Sequence, residues 1–305
     1  KFDEMQRLKI SSEGPEFSRL ALGMWRLTDW NMNTLELIDY IEQSLEMGFT
    51  TFDHADIYGL YTCEAMFGKA LAEKPSLRDK MEIVSKCGIN LVSSNRPENT
   101  FHSYNTSRGH IIKSTETSLK NLQTDYLDVL LIHRPDPLMD ADEVAEALHH
   151  LHKAGKVRYF GVSNFMPFQF DLLQSRLNFQ LVTNQVEVSV MYMDALHDGT
   201  LDQCQQKRIS PMVWSPLGGG RIFNGNSEQE QRVRNELYKV GDELGGAAID
   251  LVALAWLLKH PSKIVPVLGT GNIDRIRSAA RAFELELSRD QWFRIWSANT
   301  GHEVP

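Results

Sequence analysis

Four side chains of this sequence have the types and spacing to move a proton onto a carbonyl oxygen: Asp53, Tyr58, Lys86 and His133. Asp53 closes the β-branched and aromatic run Thr50-Thr51-Phe52, and Tyr58 follows shortly after it. Lys86 ends Glu82-Ile83-Val84-Ser85, and His133 ends Leu130-Leu131-Ile132. All four therefore fall at or just past the C-terminal ends of strand expectations, where a barrel of parallel strands places its chemistry. A tyrosine ordinarily ionises near pH ~10, too high for easy proton donation at neutral pH, and a neighbouring ammonium lowers that value. Lys86 can supply the charge, Asp53 can keep Lys86 protonated, and His133 can donate a hydrogen bond to a carbonyl oxygen. The set suits protonation of an alkoxide as it develops, with a hydride reaching the carbon. No side chain carries a hydride, so the chemistry needs a cofactor.

Positioning these groups requires strands that alternate with helices. Short β-branched or aliphatic runs predict strands at 20–23, 50–53, 82–86, 127–133, 157–163, 183–186, 212–215 and 264–268, as expected for strands buried on both faces. Helical spacing predicts helices at 34–47, 111–122, 142–154, 168–177, 201–207 and 249–259, with Gly48 and Gly155 as stops and Pro261 beyond the last. Alternation on this scale predicts an α/β fold, a (β/α)8 TIM barrel in a single domain over 1–305, with a doubly wound open sheet as the structural competitor. Two polar stretches, 90–108 and 217–230, are too long for simple connections, and with the tail at 299–305 they are expected on the catalytic face.

The chain's bulk properties narrow the function. It has 305 residues, 42% of them hydrophobic, and a net charge of −8, enough for one large core and the wrong balance for a nucleic-acid partner. No apolar run approaches ~18 residues, so no membrane span is expected, and no signal-peptide pattern opens the chain. Cys63, Cys87 and Cys204 form no paired motif, which fits a reducing, cytoplasmic setting. The histidines 149, 150 and 152 converge with no carboxylate or cysteine set, so no metal is expected. Met5 reads as the natural start, with residues 1–4 added ahead of it.

The sequence resembles the aldo-keto reductase superfamily, and within it the bacterial YdhF-like oxidoreductases. The resemblance is carried by Asp53-x-Ala55-x-x-Tyr58-Gly59, Ile83-Val84-Ser85-Lys86, Asp128-x-x-Leu131-Ile132-His133-x-Pro135, Gly161-Val162-Ser163-Asn164-Phe165, Met212-Val213-Trp214-Ser215-Pro216-Leu217-Gly218 and Gly269-Thr270-Gly271. It implies Tyr58 as general acid, Lys86 as its partner, Asp53 as the anchor of Lys86 and His133 as the orienting donor. It implies an NADPH cofactor, with Ser163, Asn164 and Gln185 on the nicotinamide carboxamide and Trp214 stacked on the ring. Gly23, Met24, Trp25 and Asp53 are implied as further cofactor contacts. Ser215, Pro216, Leu217 and Gly218 would run along the pyrophosphate with Arg221 and the glycines 219 and 220, and Gly269, Thr270, Gly271 and Arg275 would meet the adenosine end.

The chain departs from the family pattern at two places. His54 stands where the family usually has Thr, and Gly271 and Asn272 stand where many relatives carry a basic residue for the 2′-phosphate, which leaves that contact to Arg275. Neither Gly218-Gly219-Gly220 nor Gly269-x-Gly271 completes a dinucleotide fingerprint. The expectation is a monomeric NADPH-dependent reductase of aldehydes or ketones acting on a small-molecule carbonyl substrate. Trp25, Trp30, Tyr61, Phe101 and Tyr104 are the expected pocket walls, and they favour an apolar or aromatic carbonyl compound. A slow-turnover nicotinamide-sensing protein on the same fold, like the β-subunits of potassium channels, is the alternative from another class.

Overall fold

A computed structural model describes residues 5–305; residues 1–4, expected as an addition ahead of Met5, lie outside the described residues. Eight parallel strands close into a barrel: β1 (Ala21–Gly23), β2 (Thr51–Asp53), β3 (Glu82–Cys87), β4 (Leu127–Ile132), β5 (Val157–Ser163), β6 (Leu181–Glu187), β7 (Met212–Trp214) and β8 (Val265–Leu268). Each strand pairs with the next, and β8 closes onto β1 through Val267↔Ala21 and Leu268↔Leu22, which rules out the open sheet. All of β4 and nearly all of β3 and β6 are buried, as expected of strands covered by helices outside and by packed side chains inside.

The connecting helices are α1 (Thr34–Glu46), α2 (Cys63–Glu73), α3 (Arg108–Leu122), α4 (Ala141–Lys153), α5 (Pro167–Gln174), α6 (Thr200–Lys207), α7 (Glu228–Glu243), α8 (Ile249–Leu258), α9 (Ile273–Ala279) and α10 (Arg289–Thr300). Their starts follow from local chemistry. Asn33 and Glu36 form a capping box on α1, Asp140 caps α4, and Ser227 with Glu230 boxes α7, satisfying amides that the first turn leaves unpaired.

One end of the barrel is plugged. An antiparallel pair, Arg7–Lys9 with Glu16–Ser18, brings Ile10 and Phe17 into one cluster with Ala21, Val84, Val129, Val182, Met212 and Val265. The C-terminal strand ends stay open for the site. The 90–108 stretch carries a small ladder, Ile89–Asn90 with Ser103–Tyr104, before α3 begins. The 217–230 stretch is less of a loop than expected. It holds a 3-10 turn at Gly218–Gly220 and a helical turn at Arg221–Asn224, and α7 starts at Glu228. Asn299 donates to Val190 O at 2.9 Å, which brings the tail to the segment after β6.

Gly161 shows how tightly β5 must lie against its neighbours. A Cβ there would come 2.6 Å from Thr183 O and 2.8 Å from Leu131 Cδ2. Gly161→Ala is expected to cost roughly 1–3 kcal/mol by overpacking, read as a lower midpoint in urea denaturation. An unchanged midpoint would mean that the strands separate here without cost.

Candidate active site

Lys86 is the hub of the open end. It projects from β3 with its side chain 1% exposed, and its ammonium makes three bonds: to Asp53 Oδ2 at 2.8 Å, to His54 O at 2.9 Å and to Tyr58 Oη at 3.0 Å. Those acceptors match the three protons of an ammonium, which is how a buried charge avoids its desolvation cost. The second oxygen of Asp53 accepts from Gln185 Nε2 at 2.8 Å. Tyr58 lies beside His133, ring centroids 6.2 Å apart and nearly perpendicular. Asp53, Tyr58, Lys86 and His133 are thus brought together.

Burial opposes the charge on Lys86, but Asp53 and Tyr58 outweigh it and hold the ammonium above the ordinary lysine range. Burial also raises the Tyr58 hydroxyl, and Lys86 pulls against it without winning. The expected net lowering of Tyr58 is therefore corrected: the hydroxyl is held firmly protonated, and the nearby cation limits the rise. His133 is pushed well below the usual histidine value by burial, Lys86 and Arg134, so its ring is neutral at neutral pH. Its Nδ1 is buried without a partner among the described residues. An orphaned buried N–H is rarer than an orphaned acceptor, which favours the proton on Nε2, the nitrogen left to face a ligand. His54 keeps its backbone carbonyl on Lys86 and packs its ring on Phe67 at 4.4 Å. The departure from the family at this position leaves the Lys86 contacts in place.

The residues expected at the nicotinamide also gather. Ser163 Oγ donates to Gln185 O, Asn164 Nδ2 donates to His133 O and to Ser163 Oγ, and Trp214 Nε1 donates to Asn164 Oδ1. Beyond Trp214, Ser215, Gly218, Gly219 and Gly220 all have positive φ, from 47° to 89°, the backbone form from which anion-binding concavities are built. Added Cβ atoms at Gly219 and Gly220 would meet nothing within 4 Å. Arg221 binds Gly218 O at 2.9 Å and approaches Glu230 at 3.6 Å. Pro216 is buried and Leu217 half-buried. On β8's side, Tyr40 donates to Thr270 O, and Asn272 caps α9 by accepting from Asp274 N and Arg275 N. Asn272 is thus a cap, and Arg275 is exposed. A platform, an open glycine turn and exposed cations fit a nicotinamide dinucleotide.

Four of the expected residues are engaged by other contacts. The Met24 side chain is fully buried in the core, leaving only its backbone, whose N–H donates to Asp53 O. Gly23 is needed for packing, since a Cβ would come 2.9 Å from Val267 Cγ1. Trp30 leaves the pocket list, because its ring lies 5.2 Å from Tyr40 and directly over Gly271. Tyr61 is buried under Arg96 at 4.5 Å, with its hydroxyl accepting from Leu91 N and Asn99 Nδ2. It secures the 90–108 loop and offers little free surface. Trp25, Phe101 and Tyr104 are exposed.

A family model described as the aldo/keto reductase family matches residues 19–300, and the chain belongs to that family. It is an oxidoreductase of a family whose general chemistry is carbonyl reduction and whose members use nicotinamide cofactors. Oxidoreductase YdhF of Escherichia coli is 57% identical, covering 99% of this chain and all of that protein. A 6-dehydroglucose reductase of Agrobacterium fabrum is 47% identical over 98% of this chain and all of its own length. Among solved structures, the thermostable aldo-keto reductase Tm1743, in complex with the inhibitor epalrestat, matches with a TM-score of 0.80 at 28% identity, covering 96% of this chain and 100% of its own.

Two buried carboxylates beside the site had no sequence signal. Glu64 on α2 is buried and accepts from Ser85 Oγ at 2.7 Å and Ser118 Oγ at 2.8 Å. Asp56 is buried, accepts from Ser114 Oγ at 2.7 Å and donates its backbone N–H to Lys86 O. Neither forms an ion pair among the described residues. Burial, and for Glu64 the neighbouring Asp56, raises each to about 7. The folded chain therefore holds protons that the unfolded chain has released, so stability falls as pH rises from the unfolded carboxyl range through about 7. Glu64→Gln is expected to flatten that slope and to gain roughly 1–3 kcal/mol above pH ~7. Thermal melts of both proteins from acid to mildly alkaline pH check it, and parallel curves would refute it.

Proposed function

We propose that the protein reduces small aldehydes and ketones to alcohols with NADPH, acting as a monomer in a reducing, cytoplasmic setting. The observation that carries the reading is the chain of contacts Asp53–Lys86–Tyr58, with His133 beside the tyrosine. NADPH, when bound, supplies the hydride. Ser163, Asn164 and Gln185 hold the carboxamide by exchanging bonds they now make with one another and with Asp53, and Trp214 supports the ring. The glycine turn takes the pyrophosphate, and Arg275 takes the 2′-phosphate. A relative named for the reduction of 6-dehydroglucose supports extending the substrate class from apolar carbonyl compounds to hydroxylated ones. Three free, buried cysteines accord with a reducing compartment.

The proton steps of this reading use the groups gathered at the open end. His133 Nε2–H and Tyr58 Oη–H converge on the carbonyl oxygen and orient it. As charge grows on that oxygen it becomes a stronger base than a tyrosinate, so the Tyr58 proton passes downhill even from a hydroxyl raised by burial. Lys86 then stabilises the tyrosinate left behind, at 3.0 Å. Burying the groups before reaction leaves little to reorganise during it.

Tyr58→Phe removes the transferable proton and keeps the ring. We expect kcat with an aldehyde to fall by at least ~10²-fold while NADPH affinity stays nearly constant. A variant that turns over like the wild type would reassign the acid, and a wild type with only trace turnover across an aldehyde panel would favour a nicotinamide-sensing protein. For the cofactor, Arg275→Ala should weaken NADPH by roughly 10- to 150-fold, the worth of about 1.5–3 kcal/mol in bonds to a charged group, and leave NADH nearly untouched. Fluorescence titration with both cofactors measures this, and equal losses would remove Arg275 from the 2′-phosphate.

A further inference from the structure

Arg134 follows His133 directly at the end of β4 and is half-buried. Its guanidinium carbon lies 6.0 Å from the Trp214 ring centroid, and its charge reaches both His133 and Glu187. Those three residues belong to the ends of β4, β6 and β7, so Arg134 leans across the mouth between the proposed orienting histidine and the proposed nicotinamide platform. Among the described residues it makes no hydrogen bond and no ion pair, and Glu187 is not within bonding distance. The other arginines near the mouth are provided for. Arg221 holds Gly218 O, Arg96 holds Asn95 O, and Arg26 is exposed over Trp25. A guanidinium carries five donors and no acceptor, and a half-buried one with no protein partner has donors free for an acceptor on a ligand.

We infer that Arg134 is a specificity-determining residue that binds an acceptor oxygen on the carbon next to the reacting carbonyl. The inference rests on the reductase reading above. The Arg134 charge reaches His133, and its guanidinium lies 6.0 Å from the Trp214 ring centroid at the same mouth, so a substrate whose carbonyl oxygen is held by His133 has its adjacent carbon within reach of the guanidinium. The fork then takes one oxygen or a pair of them. That oxygen has two possible sources, a hydroxyl as in a sugar-like aldehyde or a carboxylate as in a 2-oxo acid, and both present the same acceptor to the same donors. An unsubstituted aliphatic aldehyde presents none and forgoes that charge-assisted pairing.

The test uses the full chain with NADPH and three aldehydes of similar size: propanal, glyceraldehyde and glyoxylate. Wild-type kcat/KM is expected to favour at least one oxygenated aldehyde over propanal, and whichever it favours identifies the source. In Arg134→Met that preference should shrink by at least ~10-fold, mainly through KM, while the NADPH dissociation constant and thermal midpoint stay close to wild type. Arg134→Lys, which keeps the charge and loses the fork, should recover part of the preference. A preference that survives in Arg134→Met, or that is absent in the wild type, overturns the role of Arg134 alone. Weakened NADPH binding in the variant would move Arg134 to the cofactor and overturn it as well. A wild type that reduces none of the three sinks the reductase reading with it.

Discussion

The buried ammonium of Lys86 is the constraint on which the site depends. It sits on β3 with its side chain almost wholly buried, and its three protons are taken by an Asp53 oxygen, the His54 carbonyl and the Tyr58 hydroxyl. Removing one partner of a buried pair typically costs ~3–5 kcal/mol, because the remaining charge is stranded. Strand register, chain path and tyrosine position are therefore coupled. β2 must pair with β3 so that Asp53 lies opposite Val84, which places its carboxylate one inward-facing position short of Lys86. The chain must then turn at once to return Tyr58 to the same ammonium. Held this way, the charge stays on Lys86 and the proton on Tyr58, the starting condition for proton donation.

The mouth is divided between two halves of the barrel. The proposed acid–base residues come from the ends of β2, β3 and β4, and the proposed cofactor residues from β5 through β8. Gln185 links the halves. Its side chain crosses from β6 to Asp53, and its carbonyl accepts from Ser163 Oγ and Asn164 N. A ligand that draws the Gln185 amide away would remove one donor from Asp53 and leave that carboxylate to Lys86. Occupancy of one half therefore bears on the charge balance of the other through a single hydrogen bond. The plugged opposite end, with Ile10 and Phe17 among the inner barrel residues, keeps water from reaching the pair from below.

The strands were legible because a strand buried on both faces is a continuous apolar run, and a run that stops at Asp53, Lys86 or His133 marks its own functional end. The helices at 34–46 and 141–153 were legible for a related reason, since one apolar stripe and a terminal glycine bound each of them. Helix α2 was not, because its inward face includes Glu64 and Gly68 beside Phe67 and Leu71, and an inward carboxylate breaks the apolar stripe that reveals a helix. The start of α7 does carry a sequence signal: Ser227-Glu228-Gln229-Glu230 is a capping box, which ends the 217–230 loop early. Trp30 could not be placed from spacing, because its position depends on Gly271, far along the chain, presenting no side chain beneath it. The direction of the Tyr58 shift is not legible in the sequence, which displays the neighbouring charge but not the burial that opposes it.

Local costs cluster around Tyr58. Gly59, Leu60 and Tyr61 all adopt positive φ, at 61°, 51° and 71°, a conformation that costs a non-glycine residue roughly 1–2 kcal/mol. Close by, among the described residues, the His54 ring has no partner on either nitrogen, one Asp56 oxygen has none, and the buried Glu64 has no cation. The strained turn does not stand alone. Asn95 Nδ2 holds Leu60 O, Leu91 N and Asn99 Nδ2 hold the Tyr61 hydroxyl, and Thr62 Oγ1 holds Gly59 O. The 90–108 loop thus clamps the turn that aims Tyr58, and it does so from the same face on which the pocket opens. Sequence change in that loop therefore acts on the pocket wall and on the tyrosine together, because the bonds that shape one fix the backbone of the other. A loop free to vary for substrate alone would have to leave Asn95, Asn99 and the Leu91 amide where they are.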